Sequence, residues 1–257
     1  MEVDGRAGAV FSHADLGALL RRFVSDGGVR YEAWSRDVVA TRQLDGYLER
    51  LARVSPDTAP NLFPTPADRA LYWLCAYNAF AIRSILAQWP VASVLEVEAG
   101  WGLAPGRAYY RKARFQAGGR KASLHAIAGA RLPAEALRDA RVLLLLSCGS
   151  ASAAPVQADL PTAVSLEGLL ASATARFLSD PANLRVIHPE RRMLVSPVLR
   201  RGRRMIAADP RSGQGRAGDA IRRWLHTVSP PSISADLALA GDYAVDFLPW
   251  DWTVNAR

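Results

Sequence analysis

The feature that most constrains the fold is a long apolar segment within residues 66–88. Residues 70–82 have the sequence ALYWLCAYNAFAI, in which Asn78 is the only strongly polar side chain. Residues 65–66 are Thr-Pro, a helix N-cap followed by a proline suited to the first helical position. We therefore predict a helix of about five to six turns over residues 66–88. Because a helix that is apolar on every side must be enclosed by the rest of its domain, this helix should be buried.

Cys75 and Asn78 lie on the same face of this predicted helix, because they are three residues apart. A buried Asn amide without hydrogen-bond partners would cost about 1–3 kcal/mol. Two interpretations of Asn78 stay open. It binds neighbouring backbone and fixes how other segments dock, or it orients a reacting group.

The rest of the chain alternates short helical and extended patterns, without an internal repeat or a long linker. With 257 residues and 50% hydrophobic content, the chain can bury a sizeable core. We predict a single α+β domain over residues 1–257, with helix 66–88 packed on a mostly antiparallel sheet that includes residues 142–147. The other predicted elements are helices at 15–24, 38–54, 123–131, 133–139, 165–178 and 216–228, strands at 91–97 and 245–248, and hairpins formed by 109–117 with 120–124 and by 184–187 with 193–196.

Hydropathy and cysteine content predict the cellular setting. No segment reaches the run of about 18 apolar residues that a membrane span needs, so we expect no membrane association. The first residues contain charges and no long apolar run, which is not typical of a secretory signal. The two cysteines lie far apart in the sequence and indicate no disulfide framework. We expect a reducing, cytoplasmic location.

The formal net charge of +8 comes almost entirely from arginine, because Lys112 and Lys121 are the only lysines. Basic residues cluster at 107–121 and 200–204. Such clusters are typical of a surface for nucleic acid or an acidic ligand, or of a chain that uses Arg in place of Lys throughout. No helix-turn-helix, zinc-finger or aromatic ribonucleoprotein motif accompanies them. We predict no sequence-specific nucleic-acid binding and a small-molecule or peptide substrate as the partner.

Cys148 is the first candidate for chemistry. It follows the apolar run at 142–146 and opens a loop of small residues at 148–155. Such a loop offers free backbone N–H groups and admits a substrate carbonyl, as an acyl-transfer nucleophile and its oxyanion site require. The alternative is an inert thiol that fills the core.

A cysteine nucleophile also needs a base, and His125 is the most plausible of the four histidines, because it begins a predicted helix and could reach the end of a neighbouring strand. Cys75 lies deep inside its helix, far from the N-terminal turn, and is expected in the core. The sequence has no His-x-x-x-His, Cys-x-x-Cys, Walker loop or Gly-x-Gly-x-x-Gly motif, so we expect no metal and no cofactor.

From about residue 13 to residue 257 the chain resembles the family catalogued as domain of unknown function 547. The order and spacing of several motifs carry the resemblance. They are VSDGGVRY at 24–31, YWLCAYNA at 72–79, GWG at 100–102, FQAGG at 115–119, SCGSAS at 147–152, FLSDPAN at 177–183 and DWTVN at 251–255.

The chain also departs from the family pattern. The family usually has Asn at the position of Cys75, and a second cysteine where this chain has an alanine in the loop at 147–154. Two family histidines fall on Gly129 and Leu143, and a family Trp-Tyr pair falls on residues 201–202. The resemblance implies, by analogy, a papain-like or transglutaminase-like fold.

Two functions follow. In the first, Cys148 attacks a carbonyl in amide or thioester chemistry, and Asn78 or Asp251 orients His125 as the base. In the second, a non-catalytic protein that has lost the family histidines binds a small molecule or a protein through aromatic side chains around Trp101, Trp250 and Trp252. The candidate catalytic residues are Cys148, His125, Asn78 and Asp251, and the candidate binding residues are Cys75, Tyr77, Trp101, Gly149, Ser150, Ser152 and Trp252.

Overall fold

Short helices predominate in the fold, and small sheets flank them. The computed structural model describes residues 10–97, 107–111, 113–132, 138–160, 165–216 and 219–257. The α-helices are α1 (Ala14–Phe23), α2 (Tyr31–Arg36), α3 (Val38–Arg53), α4 (Pro66–Leu86), α5 (Arg107–Arg111), α6 (Leu124–Ala126), α7 (Leu166–Ser179), α8 (Pro197–Arg201), α9 (Arg203–Ala208), α10 (Ala220–Val228) and α11 (Pro231–Leu239). The strands are β1 (Val24–Ser25), β2 (Gly28–Val29), β3 (Phe115–Ala117), β4 (Arg120–Ala122), β5 (Leu184–Ile187), β6 (Arg192–Val195) and β7 (Ala244–Phe247). The predicted α+β class is confirmed. The helix predicted at 133–139 lies largely outside the described residues.

The central helix α4 confirms the prediction made for residues 66–88. Its N-terminus is a capping box, in which the Thr65 hydroxyl accepts from the Asp68 N–H at 3.1 Å and the Asp68 carboxylate accepts from the Thr65 N–H at 2.9 Å. Every residue from 70 to 82 is buried. Among the described helices, none is long and apolar enough to cross a membrane.

The surroundings of α4 differ from the prediction. Helices α2 and α3 and the segment from α6 to residue 131 pack against it, and Phe80 stacks on Phe115 of β3 with ring centroids 4.5 Å apart. Residues 142–147, predicted as a strand of the supporting sheet, are not a strand. Ala140–Leu145 is a 3-10 helix that Asp139 caps through the Arg141 N–H, and an extended segment follows it. An apolar run enclosed on all sides carries no periodicity that distinguishes a strand from a short helix.

The sheets are small. β1–β2 and β3–β4 are antiparallel pairs, and β5–β6–β7 is antiparallel between β5 and β6 and parallel between β6 and β7. The second predicted hairpin is therefore confirmed. The first is confirmed only near its turn, because residues 107–111 are helical. The strand predicted at 91–97 is wrong, since it forms only an isolated bridge, between Ser93 and Thr253.

The C-terminal segment at 253–257 ties distant parts of the chain together. Val254 forms a bridge with Ser150, and Ala256 forms one with Val29. The Asn255 N–H donates to the Gly149 carbonyl at 2.8 Å. These bonds hold the loop after Cys148 against the body of the protein.

Candidate functional site

A cavity of about 870 Å³ lies beside Cys148. Six separate parts of the chain form its wall, and two of the sequence-predicted catalytic residues, Cys148 and His125, lie on it together with Tyr77. Its aromatic side chains are Tyr77, Tyr110 and Trp250, its charged ones are Arg111, Arg138, Arg201, Arg203 and Arg204, and its apolar ones include Leu143, Leu146, Val198 and Met205.

The Cys148 thiol has two polar neighbours. The Ser150 hydroxyl oxygen lies 3.5 Å from the Cys148 sulfur, and an Arg201 guanidinium nitrogen lies 3.9 Å from it. The indole N–H of Trp250 donates to the Ser150 hydroxyl at 3.0 Å. Because the serine oxygen accepts that bond, its own proton can be directed at the sulfur. Both groups would therefore stabilise negative charge on the thiol.

Aromatic rings hold Arg201 in place. Its guanidinium carbon lies 4.4 Å from the ring centroid of Tyr110, 4.2 Å from that of Trp250 and 5.4 Å from that of Trp252. Cation–π contacts of this kind fix a planar cation while leaving its edge free to donate hydrogen bonds. Sequence reasoning missed Arg201 as a functional residue. The available signals were its place in the basic cluster at 200–204 and its departure from an aromatic residue in the family pattern.

The loop after Cys148 takes a conformation that requires glycine. Gly149 has a φ of +82°, and a Cβ added there would lie 2.2 Å from the Cδ1 atom of Ile85. The Tyr109 hydroxyl donates to the Cys148 carbonyl at 3.2 Å. The loop is thus held from both sides, and its close packing on α4 leaves no room for a side chain at Gly149.

The expectation of free N–H groups in this loop is wrong at three positions. The N–H groups of Gly149, Ala151 and Ser152 all donate within the protein, the first to a side chain of the same segment and the other two to the C-terminal region. The acceptors are the Ser147 hydroxyl at 3.4 Å, the Thr253 carbonyl at 2.7 Å and the Asp251 carbonyl at 3.3 Å. The Ser152 hydroxyl in turn accepts from the Asp251 N–H at 2.8 Å. These three N–H groups are therefore not available to a substrate oxygen.

His125 also lines this cavity and is exposed. Its ring meets that of Tyr110 edge-on at 5.6 Å. Desolvation, and then the positive charges of Arg111 and Arg201, lower the pKa of the imidazole. The imidazole is therefore neutral at pH 7 and able to accept a proton.

Asn78 and Asp251 have backbone partners instead of His125. The Asn78 amide donates to the Leu145 carbonyl at 2.9 Å and accepts from the Ser147 N–H at 2.9 Å. Asp251 is exposed, and its carboxylate accepts from the Thr253 N–H at 2.9 Å. That bond is the main cause of the lowered pKa of the Asp251 carboxyl. Asn78 thus docks the extended segment before Cys148 onto α4.

The other candidate residues fall into different places. Cys75 is fully buried beside Tyr47 in the core, where burial raises the pKa of its thiol. Tyr77 faces the cavity, and burial raises the pKa of its hydroxyl. Trp252 belongs to the aromatic rings around Arg201. Trp101 lies outside the described residues.

Within the described ranges, no group of three or more His, Cys, Asp or Glu side chains could hold a metal ion. No family model, curated protein or solved structure matches the chain.

Proposed function

We propose that the protein is a cysteine-dependent acyl-transfer or amide- or thioester-hydrolysing enzyme in which Cys148 is the nucleophile. The contact of Arg201 and Ser150 with the Cys148 sulfur, at the wall of a large cavity, carries the proposal. A guanidinium beside a sulfur stabilises the negative charge that the sulfur carries when it acts as a nucleophile. Arg201 therefore supplies part of the activation that an adjacent imidazole would otherwise give.

We also propose that the chain is a divergent member of the domain of unknown function 547 family. Some of its departures from the family pattern support this. They are the positions at which the family has two histidines and an aromatic pair. Gly129, Leu143, Arg201 and Gly202 all line the cavity that contains Cys148. Positions far apart in the sequence thus converge on one site, as expected if the family uses that site and this chain has altered it.

The proposed reaction has two halves. The thiol proton passes through cavity water to the neutral His125 imidazole, and the Cys148 thiolate adds to the substrate carbonyl carbon. The Arg201 guanidinium stabilises the oxyanion in place of loop N–H groups. The intermediate then expels an amine or thiol, which takes the proton from His125, and leaves a thioester on Cys148. His125 next removes a proton from water or an acceptor that attacks this thioester, and the thiolate leaves.

Brief alkylation with iodoacetamide at pH 7, followed by peptide mapping, tests the nucleophile. Cys148 should react faster than Cys75, which is fully enclosed. The Arg201→Gln variant should lower the rate at Cys148 by about tenfold, because it removes the cation that contacts the Cys148 sulfur. Arg200→Gln is the matched control, since Arg200 is exposed and lies over the Phe247 ring instead of the cavity. Equal labelling of both cysteines, or of neither without denaturant, would contradict the proposal.

The second candidate function is non-catalytic binding. This function is favoured because three N–H groups of the loop after Cys148 donate hydrogen bonds to acceptors within the protein. A Cys148→Ala variant distinguishes catalysis by Cys148 from non-catalytic binding. If Cys148 is the nucleophile, the variant should keep its melting temperature and lose turnover of any substrate found. If the cysteine only fills the wall, the variant should lose stability, and any ligand binding should not depend on the thiol.

A further inference from the structure

We infer that the substrate of this cavity is an acyl compound that carries at least two negative charges, as phosphate or carboxylate groups. The inference rests on the proposed function, because it assigns the charged part of the substrate to the arginines and the acyl carbon to Cys148. Three features support it: the charge of the cavity wall, the lack of acidic partners for its arginines within the described residues, and the apolar side chains in the same lining.

The charge of the wall is one-sided. Arg111, Arg138, Arg201, Arg203 and Arg204 line the cavity, and its described lining residues include no Asp or Glu. A concave wall with charges of one sign concentrates its field and attracts ligands of the opposite sign. Guanidinium groups also match the geometry of carboxylate and phosphate oxygens, which they bind with two parallel hydrogen bonds.

These arginines differ from many others in the chain in having no acidic partner. Within the described part of the chain, none of the five forms an ion pair, whereas Arg83, Arg141 and Arg192 pair with carboxylates at 2.6–2.7 Å. Like charges gathered in one cavity repel one another. An anionic ligand would relieve that repulsion and supply the missing hydrogen-bond acceptors.

The lining of the cavity combines charged and apolar side chains. Arg203 and Arg204 begin α9, directly after Gly202, and both are exposed. Gly202 is buried, and a Cβ there would lie 2.0 Å from the Cδ1 atom of Leu143, so this junction packs closely on the cavity floor. Leu143 and Leu146 add apolar surface to the same cavity. An acyl group can lie over that surface while its anionic groups reach α9.

Calorimetric titration of the Cys148→Ala protein with pyrophosphate and, separately, with citrate tests the inference. At least one of the two should bind saturably, and the one that binds more tightly identifies phosphate or carboxylate as the preferred group. The double variant Arg203→Gln/Arg204→Gln should weaken that binding by at least about tenfold, because it removes charge-assisted hydrogen bonds. Arg42→Gln/Arg185→Gln is the matched control, since both arginines are exposed and neither lines the cavity.

This assay needs no reactive thiol, so its outcome is independent of the proposed nucleophile. Saturable binding without any alkylation of Cys148 would keep the anion site and overturn the proposed enzyme. Fast alkylation of Cys148 without binding of pyrophosphate or citrate would support the proposed enzyme and overturn the anion site. Equal weakening in the two double variants would show a general charge effect and would overturn the inference. The four arginine substitutions are at exposed positions, so the two double variants should have the same melting temperature as the Cys148→Ala protein that carries them.

Discussion

Cys75 and Cys148 show how the surroundings of a residue decide its chemistry. Both side chains are buried, at 0% and 3% exposure. Cys75 lies in the middle of α4 beside Tyr47, where burial raises the pKa of its thiol. Cys148 lies against Arg201 at a cavity wall. The environment of each sulfur, and not its degree of burial, therefore distinguishes a core thiol from a candidate nucleophile.

His13 gives a prediction about the pH dependence of stability. Its half-buried imidazole is hydrogen-bonded to the Tyr47 hydroxyl at 2.7 Å. Burial, and then the charge of Arg50, lower its pKa from 6.5 to about 4, although Asp68 acts in the opposite direction. Between these two values the unfolded chain binds a proton that the folded protein does not. The free energy of unfolding should therefore fall as the pH falls from 6.5 to about 4, by up to about 3 kcal/mol from this group.

Urea denaturation at pH 7 and at about pH 4.5 measures this loss. The difference in unfolding free energy between the two pH values should be smaller in His13→Gln than in the wild type. His226→Gln is the control, because His226 is exposed on α10. An unchanged pH dependence in His13→Gln would contradict the assignment.

At the scale of elements, α4 organises the site by bonding to a segment that is neither helix nor strand. Asn78 binds the backbone on both sides of Leu146, at Leu145 and Ser147. This segment joins the 3-10 helix to the loop that carries Cys148. A side-chain amide can replace a strand partner here, because it offers one donor and one acceptor to the neighbouring backbone.

Asn78→Ala should lower the free energy of unfolding by about 1–3 kcal/mol or more, because it leaves the Ser147 N–H and the Leu145 carbonyl buried without partners. Chemical denaturation measures the change. Asn61→Ala is the matched control, since Asn61 is exposed in the short 3-10 helix at 60–62 and should change stability little. Equal stabilities of the two variants would show that Asn78 does not dock this segment.

At the scale of the whole molecule, the C-terminal segment at 253–257 joins parts that are distant in sequence. Its backbone bonds to Val29, Ala92 and Gly149 at 2.8–3.0 Å. The N-terminal hairpin, the loop after α4 and the loop after Cys148 thus share one partner. The site therefore depends on the completed fold and not on α4 alone.

A variant that lacks residues 253–257 should have a lower melting temperature, because several backbone hydrogen bonds worth about 0.5–1.5 kcal/mol each are lost. The loop after Cys148 would also lose its bond at the Gly149 carbonyl. Peptide mapping after alkylation should then show a smaller difference in rate between Cys75 and Cys148. A truncated protein with unchanged melting temperature and unchanged selectivity would contradict this role.

The arginine content also belongs to this scale. Many arginines of the described part pair with acidic side chains, and five gather at the cavity. The absence of sequence-specific nucleic-acid binding stays a prediction.

Sequence alone determined the elements whose signals are local. The capping box at Thr65, the proline after it and the apolar run at 70–82 determined α4. The two short segments on either side of residues 189–190 predicted β5 and β6 in the same way. Such signals act between residues a few positions apart, so one sequence suffices to recognise them.

Tertiary structure decided the rest, because the groups concerned are far apart in the chain. The run at 142–146 is buried either as a strand or as a 3-10 helix, and only its neighbours select the helix. The N–H groups after Cys148 are occupied because residues at the other end of the chain lie beside them. Arg201 reaches the thiol because α8 brings it there between aromatic rings from α5 and the C-terminal region. The local sequence pattern determines which residues are buried, whereas long-range packing determines which of them contact one another. The chemistry of this site depends on that long-range packing.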